Sequence, residues 1–332
     1  MLKGLYVLDE RSYDLIYGED ERQDISKLVD ISAPVQNRNS IRDNLSLLNE
    51  VDVIFSGWGG PSIDRELLDA APNLKAVFYG AGSIKSIVTP EFWERDIIIT
   101  SSYAANAIPV AEFTLSQILF ALKLGWQFAI NIKRDGKYPD KRAIEVPGGY
   151  RSTVGLISLG MIGRYVCDLL KPFDINILAY DPFVDEETAE ELGVELCELD
   201  EIFVRSDVVS LHTPWLKETE GMIKGKHFEL MRENGSFLNT ARGAVVNEDE
   251  MIDVLKRRPD LMAILDVTYP EPPREGSPLY TLPNVVLTPH IAGSMNKECN
   301  RMGRYAVEEL ERYIKGEELK WQITKEQASI LA

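Results

Sequence analysis

Cysteine is nearly absent from this chain. Cys167, Cys197 and Cys299 stand far apart and odd in number, with no Cys-x-x-Cys pair and no Cys/His cluster. A disulfide framework and a zinc site are both excluded, and no metal is expected. Histidine is as scarce, so any imidazole chemistry falls on His212, His227 or His290. Positive charge is outweighed: 36 Lys and Arg face 53 Asp and Glu, a net charge of −17. Such a chain repels phosphate backbones and anionic lipid, so neither nucleic acid nor a membrane is expected as a partner. It repels an acidic substrate as well, which then needs a local cation to hold it. No run of about eighteen apolar residues is present to span a bilayer. The opening, MLKGLYVLDER, interrupts its short apolar runs with charge and reads as a first strand rather than a signal peptide. A cytoplasmic location is the expectation.

What the chain has is regular alternation. Its 332 residues, 45% hydrophobic and 27% charged, suit two folded domains. Short apolar runs at 5–8, 51–55, 74–79 and 97–101 alternate with helical stretches such as 64–71. A second series follows at 153–159, 176–180, 207–211, 236–239, 262–266 and 284–288. Strand–helix alternation of this kind implies parallel sheets covered on both faces, the doubly wound α/β class. Between the series, residues 106–126 predict one long helix, with Pro109 in its first turn and an apolar face of Val110, Phe113, Ile118 and Leu122. Residues 133–150 read as a polar excursion, and 296–315 as a final amphipathic helix.

The segment Thr153-Val-Gly-Leu-Ile-Ser158-Leu-Gly160-Met161-Ile162-Gly163 is a strand entering a helix through small residues. It resembles the dinucleotide fingerprint G-x-G-x-x-G with Ser158 in the first place. Gly160 lets the backbone approach a pyrophosphate, Gly163 lets helix and strand close up, and the helix N-terminus offers free N–H groups. Alone this could be an ordinary tight turn. A second strand follows, however, ending in Asp181, eighteen residues after Gly163. An acid there accepts from ribose hydroxyls and repels a 2′-phosphate, so NAD is favoured over NADP.

Ligands of an open parallel sheet bind at the carboxyl ends of its strands. Four consecutive predicted strands end in His212-Thr213-Pro214, Thr240-Ala241-Arg242-Gly243, Asp266 with Glu271 beyond it, and Pro289-His290. Reduction of a 2-keto acid needs a cation for the carboxylate, a proton donor for the developing alkoxide, and a partner for that donor. Arg242 suits the first role, since a guanidinium grips a carboxylate bidentately. His290 suits the second and Glu271 the third. Asp266 is left to orient the nicotinamide amide. His212 reads as lining the cofactor crevice, and His227, in a mixed-charge helical run, as solvated.

The blocks Asn239-Thr-Ala-Arg-Gly243, Asp266-Val-x-x-x-Glu271-Pro272 and Thr288-Pro-His290-Ile-Ala-Gly293 resemble those of the D-isomer-specific 2-hydroxyacid dehydrogenases. So do Leu211-His-Thr-Pro214, Lys217-Glu-Thr219 and Asn106-Ala-x-x-Val-Ala-Glu-Phe-Thr114. The resemblance implies a catalytic set of Arg242, Glu271 and His290. It implies NAD contacts at Met161, Ile162, Asp181, Thr213, Thr240 and Asp266, to which the surrounding motifs add Ser158, Gly160, His212, Pro214, Thr219, Ala241 and Gly293. It implies a Rossmann NAD-binding domain at 104–293 that mediates a homodimer. A smaller flavodoxin-like catalytic domain would join 1–103 to 294–332.

Two departures bear on the substrate. The loop usually reading R-A-G-V-G-V-D is Gly80-Ala-Gly-Ser-Ile-Lys85, one residue shorter, although the N–H groups of Ala81, Gly82 and Ser83 are still expected to hold a carboxylate. The Arg-Ser that the family often has at the end of the 51–55 strand is here Ser56-Gly-Trp58, which argues against phosphoglycerate-type substrates and places Trp58 at the border of the substrate pocket. The leading expectation is an enzyme interconverting a small D-2-hydroxy acid and its 2-keto acid. A formate or phosphite dehydrogenase ranks lower, because formate has no hydroxyl proton for a histidine to take. A NAD-sensing corepressor-like protein is the alternative outside enzymes.

Overall fold

The structure, a computed structural model, describes residues 1–330. Two compact units divide the chain: Met1–Asn106 with the segment from Ser294 onward, and Ala107–Gly293. The first boundary falls inside a helix, three residues beyond the expected 103/104. Tyr103 and Ala105, at the start of that helix, pack into the first unit's core, while Ala111 and Ile118 pack into the second's.

The first unit holds strands β1 (Leu2–Val7), β2 (Val29–Ile31), β3 (Val53–Ser56), β4 (Ala76–Tyr79) and β5 (Ile98–Ser101). They form one parallel sheet in the order β2-β1-β3-β4-β5, the flavodoxin-like arrangement. Every residue of β3 and β4 is buried, as a sheet covered on both faces demands. Tyr17 sits beneath their carboxyl ends, its hydroxyl 2.8 Å from the Ser56 carbonyl and 3.1 Å from that of Phe78. A Cβ at Gly80 would crowd Ile16 and this hydroxyl, which is why the loop after β4 opens on glycine. The helix Glu298–Lys315 completes the unit, burying Met302, Ala306 and Leu310.

The second unit holds β6 (Thr153–Ile157), β7 (Asn176–Tyr180), β8 (Glu195–Leu196), β9 (Val208–Leu211), β10 (Ser236–Asn239), β11 (Met262–Leu265) and β12 (Val285–Leu287). Their order is β12-β11-β10-β9-β6-β7-β8, again parallel throughout. The direction of winding reverses between β6 and β9, which makes their carboxyl ends the switch-point crevice of a Rossmann sheet. Beneath it Phe203, Phe228 and Phe237 interlock, the last two with ring centroids 5.0 Å apart.

Three sequence expectations need correction. The edge strands β2 and β8, three and two residues long and each carrying an acid, left no apolar run to read. The long helix runs from Tyr103 to Ala121, so Pro109 lies inside it rather than in its first turn. It does not reach Trp126: Leu124 takes a left-handed φ of 51° and a new helix, Gly125–Asp135, begins. A Cβ at Gly125 would strike the Phe120 ring, so the chain turns there on a glycine. The first helix is long and apolar enough to cross a membrane by composition, but half of its apolar window is buried, as in the core helix of a globular domain.

Candidate active site

The dinucleotide cradle opens at the end of β6. Ser158 takes φ 79°, the left-handed conformation that the fingerprint's first glycine would adopt freely, and its N–H donates to the Tyr180 carbonyl at 2.8 Å. A Cβ on Gly163 would collide with the Ser158 carbonyl, so Gly163 is what allows helix Met161–Leu170 to start so close to the strand. A Cβ on Gly160 would meet nothing, which leaves the helix N-terminus open, with no side chain capping it. Met161 and Ile162, in the first turn, are partly exposed. Asp181 stands across this turn: Leu159 N–H donates to Oδ2 at 2.7 Å, Ser158 Oγ lies 3.4 Å away, and Phe183 N–H donates to Oδ1 at 2.9 Å. An uncapped helix end over a side-chain-free glycine, faced by an anchored acid, fits the pyrophosphate and ribose of NAD.

At the adjacent end of β9, His212 donates its N–H to the Ile157 carbonyl at 2.9 Å and sets Nε2 3.0 Å from Ser210 Oγ. Its Nδ1 is buried with no protein partner, a polar atom left for a ligand. Burial pushes its pKa down to about 4, so this imidazole is neutral near pH 7 and lines the crevice rather than donating protons. Thr213 is buried beside it. Thr219 turns into its own loop, donating to the Pro214 carbonyl at 2.6 Å and accepting Leu216 N–H at 2.9 Å. Thr240 is equally engaged, its hydroxyl 3.2 Å from that of Thr114 on the long helix.

β10 delivers Arg242. Asn239 shapes the turn, accepting the Ala241 N–H at 2.9 Å and donating to the Arg242 carbonyl at 3.1 Å. The Arg242 guanidinium folds back to the Ala241 carbonyl at 2.6 Å and is partly buried. Burial lowers its pKa from the ordinary value, and the charge of Glu271 works the other way. A Cβ at Gly243 would fall on the Thr268 backbone, so glycine there is what admits the loop after β11, which carries Glu271. Glu248 anchors that loop by accepting the Tyr269 N–H at 3.1 Å. Burial raises the Glu248 carboxyl above the usual range and the Tyr269 N–H opposes this.

β12 leads to His290, whose Nδ1 lies 2.7 Å from Glu271 Oε1. The pair is neither buried nor free, at 46% and 42% side-chain exposure, which leaves the ring within reach of a ligand. Asp266, at the end of β11, is 2% exposed and bonded to the chain around His290. Gly293, the last residue of the unit, is partly exposed. The second unit thus brings Arg242, Glu271, His290 and Asp266 to one rim.

In the first unit, the carboxyl ends of the neighbouring strands β3 and β4 present Trp58, 37% exposed, and the loop of Ala81, Gly82 and Ser83. Ser101 Oγ donates to the carbonyls of Ala81 and Gly82, and the Ser102 N–H also donates to that of Ala81. In a trans peptide the N–H points opposite to the C=O, so the Gly82 and Ser83 N–H groups face away from these serines. Glu248 and Ser210 went unseen in the sequence, because an acid in a helix's first turn and a serine in a strand carry no signal of what they grip. His227 is corrected: it is 2% exposed, stacked on Phe203 with centroids 5.1 Å apart, and accepts the Lys224 N–H at 2.8 Å. It caps a helix, and its charged neighbours disguised a buried position.

The low pKa of His212 ties stability to pH. Its folded value lies below the unfolded one near 6.5, so its contribution is full above that pH and fades as pH falls through about 4. Unfolding free energy is expected to fall by on the order of 3 kcal/mol across this window from His212 alone. Urea titrations of wild type and His212→Asn between pH 7 and 4 measure this, and parallel curves for the two proteins refute it.

Residues 117–292 match the family model described as D-isomer specific 2-hydroxyacid dehydrogenase, NAD binding domain. The chain is 35% identical over 256 residues to a D-3-phosphoglycerate dehydrogenase of Archaeoglobus fulgidus, covering 76% of this chain and 48% of that protein. It is 35% identical over 260 residues to a glyoxylate reductase of Thermofilum pendens, covering 77% and 76%. It spans about half the length of the phosphoglycerate dehydrogenases it matches. Its fold is that of a D-isomer specific 2-hydroxyacid dehydrogenase from Lactobacillus delbrueckii ssp. bulgaricus in an NAD-complexed form, with TM-score 0.82, 21% identity and coverage of 98% and 100%. With just over half of its residues matched by the NAD-binding model and a 35% identical relative covered over 76% of its length, the chain belongs to the D-isomer specific 2-hydroxyacid dehydrogenase family.

Proposed function

We propose that the protein reduces a small 2-keto acid to the D-2-hydroxy acid, and catalyses the reverse oxidation. One observation carries this: an imidazole bonded to a carboxylate at 2.7 Å, on the same strand-end rim as a partly buried guanidinium and a dinucleotide cradle. NAD supplies the hydride in its reduced form and accepts it in its oxidised form. Arg242 holds the substrate carboxylate and polarises the carbonyl oxygen. As hydride reaches the carbonyl carbon, His290 gives its Nε2 proton to the oxygen, and in the reverse direction takes it back. Glu271, on Nδ1, stabilises the ring while it is charged and fixes which nitrogen faces the substrate. The first unit's loop offers the Gly82 and Ser83 N–H groups to a carboxylate.

His290→Ala and Arg242→Ala are each expected to keep NADH affinity, measured by fluorescence titration. Turnover with a panel of short, branched, aromatic and dicarboxylic 2-keto acids should drop on the order of 10²–10⁴-fold. Near-wild-type rates in either variant, or no oxidation of NADH by wild type with any acid, overturn the reading.

Trp58 is the residue we assign to substrate choice, since an exposed indole at a strand end favours an uncharged substituent over a phosphate. Trp58→Ala is expected to reorder kcat/KM across the panel. An unchanged ranking removes Trp58 from the pocket.

We also propose a homodimer built on the second unit. Helix Gly125–Asp135 has no fully buried residue: Trp126 and Ile130 lean on the unit's own core, whereas Phe128 and Ile132 do not. Phe128 and Ile132 line an open groove of about 510 Å³ with Tyr138 and Pro139. Both amide atoms of Gln127 lack partners within the chain. A second copy would cover this face. Sedimentation should give a dimer that Phe128→Glu weakens, whereas a wild-type monomer at micromolar concentration rules it out. We place the protein in the reducing cytoplasm, consistent with three unpaired thiols.

A further inference from the structure

His290 holds a backbone conformation that few side chains adopt. Its φ is 54°, in the left-handed region, where a Cβ is crowded by its own carbonyl. Such a residue stays put only when its surroundings over-determine it. Here one residue does so from both sides. Asp266 Oδ1 accepts the Thr288 hydroxyl at 2.6 Å and the Ile291 N–H at 2.9 Å, while Oδ2 accepts the Ala292 N–H at 2.8 Å. The Asp266 carbonyl accepts the N–H of His290 itself at 3.0 Å. Four hydrogen bonds therefore grip the chain before, at and after His290, and no bond from Asp266 reaches the imidazole. Asp266 is 2% exposed and Ala292 3%, so the Oδ2 bond at least is closed to water.

The placement of the ring follows from the backbone. With His290 left-handed, Nδ1 meets Glu271 at 2.7 Å, and Nε2 is the nitrogen left for proton transfer. Were the turn to relax to an extended conformation, the Cα–Cβ bond would swing and the ring would leave Glu271.

We propose that Asp266 is a positioning residue for His290. Its buried carboxylate clamps the turn 288–292 so that Glu271 takes Nδ1 and Nε2 is presented. This rests on the dehydrogenase reading for its purpose, though not for its geometry. It differs from the nicotinamide contact that the family resemblance implies, because both carboxylate oxygens are engaged by the chain's own donors.

Asp266→Asn tests it. The amide keeps the shape but sets an N–H₂ group against one of the N–H donors, breaking the clamp on one side. Three readouts separate the roles: NADH affinity by fluorescence, the single-turnover rate at saturating NADH, and the His290 ring tautomer by ¹⁵N NMR. The chain has only three histidines, so a His290→Gln spectrum assigns the signal. NADH affinity is expected to stay within roughly threefold. The single-turnover rate should fall on the order of 10²-fold, the scale of an ångström's misplacement. The Nδ1–H tautomer is expected to dominate in wild type and to give way to a mixture in the variant. Thr288→Val removes one donor and leaves the carboxylate, so it should show the same pattern more weakly in a protein that folds. The proposal is overturned if Asp266→Asn weakens NADH binding tenfold or more while the saturated rate and the His290 tautomer stay as in wild type. Should wild type oxidise NADH with no keto acid, the functional reading falls, and the tautomer comparison still decides the clamp.

Discussion

Parallel register is the constraint on which the site depends. Strands β9, β10, β11 and β12 are immediate neighbours in one sheet and run the same way, so all four release their chains at one edge. Adjacent strands lie about 4.8 Å apart, so residues one to three positions past their ends are gathered along that edge. His212, Arg242, Asp266 and His290 are those residues, although nearly eighty positions separate the first from the last. The loops then need only local adjustment. Gly243 lets the chain after Arg242 touch Thr268, which brings the Glu271 loop alongside.

That row was legible in the sequence because each of its strands is a short, largely apolar stretch followed closely by a group that can do chemistry. Met262–Leu265 is apolar and buried at every position, and burial on both faces is what an unbroken apolar run records. The same logic failed for Val29–Ile31 and Glu195–Leu196, edge strands too short to leave a pattern. It failed for the break at Leu124, where a leucine takes a left-handed φ that its residue type does not favour and Gly125 leaves room for the Phe120 ring. It failed again for His227. Charge on both sides reads as a solvated face, but the ring's stacking on Phe203 and its bond to the Lys224 N–H are tertiary facts. The candidates Arg242, Glu271 and His290 could be picked out because few residue types can do the chemistry. The groups that hold them could not, since any acid can grip an N–H.

The three imidazoles show how burial divides the labour. His212 and His227 are 8% and 2% exposed, and desolvation lowers the pKa of both. His212 is a neutral hydrogen-bonding group in the cofactor crevice, and His227 accepts a backbone N–H at a helix start. His290 is the half-exposed one, and a carboxylate faces it. A ring that must alternate between charged and neutral needs both conditions: water or substrate near enough to exchange the proton, and an anion to stabilise the charged form. Arg242 is placed on the opposite principle. Burial works against its charge and Glu271 works for it, so a carboxylate-bearing ligand gains more from meeting it there than at the surface.

The excess of acid takes on a structural meaning here. A net charge of −17 would destabilise a compact chain through self-repulsion if every carboxylate were idle at the surface. Many are not. Asp181 accepts the Leu159 N–H, Asp207 the Thr153 N–H, Glu250 the Gly225 N–H and Glu309 the N–H groups of Lys320 and Trp321. Each of these ties a backbone donor at the end of a strand, turn or helix, where no neighbouring strand can accept it. Glu248 and Asp266 do the same for the loops bearing Glu271 and His290. Apolar packing cannot fix such loops, because they have to stay open to a ligand. A charge-assisted bond to the backbone can, being short, directional and about twice as strong as a neutral one. In this chain Glu271 and His290 stand at the solvent edge, and carboxylates behind them supply the rigidity that a hydrophobic core supplies elsewhere.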